Sequence, residues 1–190
     1  MTIHKTVFDK GFRIVPADEE FEYQKDLTAK LDTTTELFDQ QIINEIVLWK
    51  INRYANVDGE TLKLLNEIDP NSKVLDIEKT RRIVKILINI KGIQLPMAST
   101  ILRFKNKNIY QIIDQRVYRI IYKDKKLILK THLNDTNLNE MVDLYLQYLK
   151  DLTEVCKQFK IPFHKSDRIL FMVDKRINKD IPLDNYSTKS

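Results

Sequence analysis

Residues 83–104 read IVKILINIKGIQLPMASTILRF. Two apolar helical runs, 83–90 and 97–102, flank the short turn Lys91-Gly92-Ile93-Gln94. Pro96 is acceptable there because the first helical turn needs no bonded N–H at that position. The spacing predicts an αα-hairpin over about 83–104, with small Ala98 and Ser99 letting the helices approach. A turn of this kind points backbone N–H groups outward at the start of the second helix. Those groups and the helix dipole suit a phosphate oxygen, and Lys91, Arg103, Lys105 and Lys107 lie around it. The same stretch also fits an ordinary hairpin inside a helical core.

Outward from the hairpin the pattern stays helical. Residues 1–17 read as an irregular arm, and 18–31 as a helix with acids in its first turn. A helix over about 35–54 carries one apolar stripe of Leu37, Phe38, Ile42, Ile46, Trp49 and Tyr54, with Lys50 and Arg53 off it. A short helix over about 60–68 is broken at Asp69-Pro70-Asn71. Helices follow over 76–90 and 95–105, then a connector over 106–113 and a helix from Asp114 to the basic turn 123–126. Leu127, Ile128 and Leu129 fit a short strand or the wall of a loop. Asn137 with Glu140 resembles a capping box. It opens a long helix with an apolar stripe of Leu138, Met141, Tyr145, Tyr148, Leu152, Val155, Cys156 and Phe159. Ile161-Pro162 ends it, and Ser166 is placed to cap a last helix, DRILFMVDK. The tail over 182–190 is polar and expected to be disordered. The chain is expected to be a single all-α unit over 1–190.

Composition narrows the chemistry. The 190 residues are 43% hydrophobic and 31% charged, ordinary for a globular protein. Only 3 Gly and 5 Pro argue against a many-turned β architecture. A single Cys, Cys156, and three scattered His residues argue against a disulfide framework, a Cys-ligated cluster or a zinc site. No metal or cofactor is expected. The longest uncharged stretch near the most apolar region, 92–102, is too short to span a bilayer. The first ten residues lack the apolar core of a signal peptide, so a cytoplasmic, non-membrane protein is expected, nucleoid-associated if bacterial.

The net charge of +5 hides a strong asymmetry. Residues 1–78 hold 9 Lys/Arg against 16 Asp/Glu, residues 79–130 hold 14 against 2, and residues 131–190 hold 9 of each. A 52-residue segment whose only acids are Asp114 and Asp124 suits a polyanion, with nucleic acid the first candidate. The alternative is a basic face paired with the acidic N-terminal third.

Two motifs taken together carry a family resemblance. The stretch 90–99, IKGIQLPMAS, followed by 110–120, YQIIDQRVYRI, resembles the helix-hairpin-helix DNA glycosylase superfamily, which includes endonuclease III, MutY and the alkyladenine and 8-oxoguanine glycosylases. Gly92 matches the first glycine of its hairpin and Ala98 the alanine. Asp114, 18 residues beyond Pro96, matches the catalytic aspartate, and Val117, Arg119 and Ile120 match the residues after it. The resemblance covers about 30 of 190 residues. Trp49-Lys50 and DRILFMVDK also resemble segments of small proteins of this kind, with no chemistry assigned. The resemblance implies a two-lobed helical fold with the hairpin at the cleft, and base excision from duplex DNA. Pro96 stands where bifunctional members carry a Schiff-base lysine, which implies a monofunctional enzyme. Gln94 replaces the second hairpin glycine, and the cluster-binding cysteines of endonuclease III are absent.

The residues suit that chemistry. Cleaving an N-glycosidic bond builds positive charge on the sugar, which a carboxylate stabilises. Asp114, the only acid from Lys79 to Lys123, is expected to stay ionised among cations; Asp at a helix start is equally a cap. DNA contacts are expected from Lys91, Gly92, Gln94, Arg103, Lys105, Arg116 and Arg119, although Arg116 and Arg119 also suit pairing with the acidic N-terminal lobe. Trp49, Tyr54, Tyr110 and Tyr118 are candidates for a base pocket. The alternatives are a hairpin DNA-binding module without chemistry and a helical protein–protein adaptor.

Overall fold

The structure, a computed structural model, describes residues 4–20, 25–51, 57–130 and 134–183. Among the described residues there are eight α-helices, two short 3-10 turns and no strand. The helices are α1 (Lys25–Thr33), α2 (Gln40–Ile51), α3 (Gly59–Asn66), α4 (Ile77–Asn89), α5 (Leu95–Lys105), α6 (Gln115–Ile121), α7 (Asp135–Phe159) and α8 (Ser166–Ile177). The described residues are therefore all-α. The buried apolar residues form one contiguous cluster to which every helix contributes.

One local device starts four of the helices. Asp58, Asp76, Asp114 and Asn134 each sit in extended backbone and accept a hydrogen bond from the N–H three residues on. Such a cap contributes about 1 kcal/mol. The long helix thus begins at Asn134, whose side chain accepts from Asn137, three residues before the expected box. Its stripe is buried as expected, apart from the half-buried Phe159.

Other boundaries differ for physical reasons. The first expected helix, 18–31, is found as α1 at Lys25–Thr33, and its expected start overlaps a 3-10 turn, Pro16–Asp18; residues 21–24 lie outside the described residues. Asp18, in that 3-10 turn, is buried and accepts two bonds from Arg176, both at 2.8 Å. α2 starts at Gln40, leaving Leu37 73% exposed, while Ile43 and Val47 widen the buried face beyond the expected stripe. Leu127 and Leu129 are buried and Ile128 exposed, but no strand forms; the segment is a loop wall. Ser166 opens α8 from inside the helix, donating its hydroxyl to Phe163 O, and does not cap it. Residues 184–190 of the expected tail lie outside the described residues.

α4 and α5 form the expected hairpin. The turn closes through Ile93 N–H to Ile90 O at 2.9 Å, with Gly92 at φ +91°. That conformation excludes a Cβ at low energy. Gly92→Ala is expected to lower stability by about 1–2 kcal/mol, read as a shifted urea midpoint with an unchanged slope.

α5 is buried on every side. Its Ser99 carries the hairpin's influence forward. The hydroxyl donates to Pro96 O at 2.8 Å and accepts the Ile113 N–H at 3.1 Å. From α7, Tyr145 donates to Gln111 O at 3.1 Å and Tyr148 to Ile112 O at 2.6 Å. The extended segment before Asp114 is therefore fixed on two sides by buried hydroxyls, which burial pushes well above the usual tyrosine range in the case of Tyr145 and Tyr148. They remain neutral donors.

Candidate functional site

Asp114 is half-buried at the start of α6, its Oδ1 accepting the Val117 N–H at 2.9 Å. It borders a cavity of about 230 Å³. Trp49 and Lys50 come from the last turns of α2, Ile112 and Asp114 from the connector into α6, and Asp167, Arg168 and Phe171 from α8. The volume is below the ~300 Å³ floor of typical drug-sized sites, a scale for one flat ring system. Trp49, Ile112 and Phe171 supply apolar lining, and Lys50, Asp114, Asp167 and Arg168 the charged groups.

The walls are held firmly. Trp49 is buried, donates its ring N–H to Thr28 Oγ1 at 2.6 Å and meets Phe104 edge to face at 5.4 Å. Phe171 lies beneath the Arg116 guanidinium, 5.5 Å from the ring centroid. Asp167, almost fully buried, has Oδ2 3.2 Å from Arg103 Nε, while Oδ1 accepts the Arg168 N–H at 2.8 Å. Asp32 of α1 pairs with both Arg103 and Arg168. This network ties α1, α5 and α8 together around the cavity.

Burial pushes the Asp114 carboxyl above the ordinary aspartate value, and nearby Asp167 adds to this. Lys50 and the Val117 and Arg116 N–H groups pull the other way without cancelling it. The expected net pull of neighbouring cations is thus corrected in direction: Lys50 does draw the carboxyl down, but desolvation outweighs it.

The expected DNA contacts divide sharply. Lys91 and Gln94 are exposed and Gly92 half-exposed at the hairpin turn. Pro96, second in α5, removes one N–H that such a helix end ordinarily offers. Arg103 is no phosphate contact: it is 2% exposed, ion-paired with Asp32 and Asp167, and further bonded to His164 O. Lys105 is also buried, donating to Asn66 Oδ1 and lying over the Phe38 ring, and burial pulls its ammonium down. Arg119 is buried against Asp174, and the half-buried Arg116 bonds the same carboxylate. Their partner belongs to α8 and not to the acidic N-terminal third. Arg81 and Lys130 pair with Asp143 and Glu140 of α7. Much of the basic excess of 79–130 is thus matched by acids from other segments.

Of the expected pocket aromatics, Trp49 lines the cavity. Tyr110 is core, sharing a 2.8 Å hydrogen bond with Thr80, and Tyr118 is core against Tyr122. Aromatic type alone suggests both; Tyr110 is buried from the connector between α5 and α6, and Tyr118 from α6. Tyr54 lies outside the described residues. Phe171, Lys50, Asp167 and Arg168 were not assigned a role by sequence, although their segments carried the resemblance. Among the described residues no cluster of His, Cys, Asp and Glu suits a metal ion, and no helix is long and apolar enough to cross a membrane. Compared with protein families, curated proteins and solved structures, the chain finds no match.

Proposed function

We propose that the protein is a DNA N-glycosylase-like base-excision protein, with Asp114 its catalytic carboxylate. One observation supports the proposal: the aspartate singled out by its spacing from the hairpin lines a small cavity whose walls include the aromatic rings of Trp49 and Phe171, and the second carboxylate there, Asp167, is paired with Arg103. An extruded base would stack between Trp49 and Phe171. The sugar would then lie at the cavity mouth, where the Asp114 charge opposes the cation developing at C1′ and orients the attacking water. Buried hydroxyls of Ser99, Tyr145 and Tyr148 fix the backbone that presents it. The helix-hairpin-helix resemblance and a glycosylase-like division into two lobes at this cleft belong to the same proposal.

The exposed hairpin turn supplies the backbone contact, with Lys91 its free-standing cation. Lys91→Glu is expected to weaken duplex binding about equally across sequences and to reduce the log–log salt slope by about 1. Titration at several salt concentrations reads this directly; an unchanged slope removes the turn from the interface. Arg103→Glu is no test of DNA contact, because it places a third acid beside Asp32 and Asp167.

The function itself is tested by incubating the protein with duplexes carrying a panel of damaged and modified bases, then applying alkali to cut at abasic sites. Strand scission at one lesion supports excision. Binding without scission across the panel favours a hairpin DNA-binding module, and no duplex binding at low salt favours a protein–protein adaptor.

A further inference from the structure

The charged groups around the cavity are not equivalent. Asp167 and Arg168 belong to the network with Arg103 and Asp32. Asp114 caps α6. Lys50 stands apart. It is half-buried in the last turn of α2, and among the described residues it makes no hydrogen bond or ion pair. Its charge acts on Asp114 across the cavity. An amine and a carboxylate therefore share a small cavity with Trp49, Ile112 and Phe171, beside the paired Asp167 and Arg168, and among the described residues the amine has no bond to the fold.

Lysine amines in such sites form imines with carbonyl carbons. Base excision, on the reading above, generates such a carbon in this cavity: the deoxyribose left behind opens to an aldehyde at C1′. The hairpin places no amine in this cavity: Pro96 has none, and Lys91, on the exposed turn, is not among its lining residues. We propose that Lys50 is the nucleophile of an abasic-site lyase activity, with Asp114 as its proton acceptor and donor. The identity of the substrate rests on the base-excision reading; the amine–carboxylate geometry does not.

The chemistry balances without an oxidant or reductant. The neutral Lys50 Nζ adds its lone pair to C1′, and the proton it sheds passes to Asp114. The carbinolamine oxygen leaves as water, taking a proton back from Asp114 and leaving a protonated imine. Asp114, again a carboxylate, takes a proton from C2′, and the C–H electron pair passes into the imine. The C3′–O bond then breaks, the phosphate departing with the bonding pair. Water hydrolyses the imine, returning the Lys50 amine and releasing an unsaturated aldehyde. This sequence adds strand cleavage to an enzyme that Pro96 alone would make monofunctional.

The test uses the full chain and a duplex with a preformed abasic site, so no base need be excised. Borohydride in the reaction reduces an imine to a stable secondary amine. The expected result is a protein–DNA adduct, mapped by peptide mass to Lys50, with strand cleavage when borohydride is omitted. Lys50→Arg keeps the cation and its approximate reach but has no nucleophilic amine at neutral pH. It is expected to lose both adduct and cleavage by on the order of 10²-fold or more with unchanged duplex affinity and thermal midpoint. Failure of wild type to give an adduct, an adduct mapped to another amine, or equal trapping by Lys50→Arg overturns the proposal. The lesion panel is scored in parallel. Excision without trapping sinks the lyase proposal alone; trapping at Lys50 without excision of any lesion sinks the excision reading alone.

Discussion

Asp114→Asn is expected to lower base excision by ~10²-fold or more, the usual loss when one preorganised electrostatic stabiliser is removed, while the protein stays folded and binds duplex as well as or better than wild type. The amide keeps the shape of the carboxylate, and Asn caps a helix about as well as Asp, so the 2.9 Å bond from Val117 N–H persists. What disappears is the negative charge facing the sugar. The pKa direction adds a second signature. With the folded-state pKa raised above the unfolded one, the native state holds more protons than the unfolded chain between the two values. Stability therefore falls as pH rises through that window, and above it the ionised carboxylate is a net cost. Asp114→Asn removes this cost. The variant is expected to be at least as stable as wild type at neutral pH, with the difference vanishing below the window. The acid limb of the wild-type pH–rate profile is expected above the ordinary aspartate value, because excision needs the ionised form. Equal excision by wild type and Asp114→Asn reduces the residue to a helix cap.

What the sequence reveals here, and what it hides, follow from the range of the forces involved. Helices with strong local signals are legible: the stripe from Leu138 to Phe159, the Asp76 and Asp114 starts, and the turn at Gly92 all depend on neighbours within a few residues. Asp114 is legible for the same reason, since its place is set by a local cap and a fixed distance from the hairpin. The cavity is not, because Trp49 and Phe171 lie 122 positions apart in the chain and meet only through tertiary packing. The misplaced cations have a subtler cause. Arg103 and Lys105 occupy a helix, LPMASTILRFK, that is apolar on all faces, and such a helix is expected to be buried. A cation within it then requires a buried partner. That signal is present locally, but the partners of Arg103, Asp32 and Asp167, come from elements 71 and 64 positions away. Charge counted along the chain places these residues on a surface; in space Arg103 is cancelled by two acids and Lys105 is buried against Asn66 and the Phe38 ring.

Asp174→Ala is expected to destabilise the fold by about 3–5 kcal/mol, the range for breaking a buried ion pair from one side. Asp174 is fully buried on α8. It accepts from Arg119 Nε at 2.6 Å and Nη2 at 2.8 Å, from Arg116 Nη1 at 2.9 Å and from Asn178 Nδ2 at 2.9 Å. Arg116 is partly exposed and can turn to water. Arg119 cannot: it is 7% exposed, and its remaining bonds go to Ile181 O and Pro182 O. Truncating Asp174 strands that guanidinium, which explains why the cost exceeds that of a surface bridge. For a chain of this size the thermal midpoint is expected to fall by roughly 6–20 °C, a large share of the 5–15 kcal/mol that holds typical domains together. The double variant Asp174→Leu with Arg119→Met removes both charges and is expected to recover most of the loss; the cycle of single and double variants isolates the coupling. If Arg119 were instead a phosphate contact, Arg119→Met would flatten the salt dependence of DNA binding at little cost to stability. The opposite is expected, a large loss of stability with the salt slope intact. The pair also bears on the cavity, because α6 carries Asp114 at its start and α8 carries Phe171. With Arg119 stranded between these helices, excision should fall at temperatures well below the lowered midpoint, and the recovered double variant should regain it.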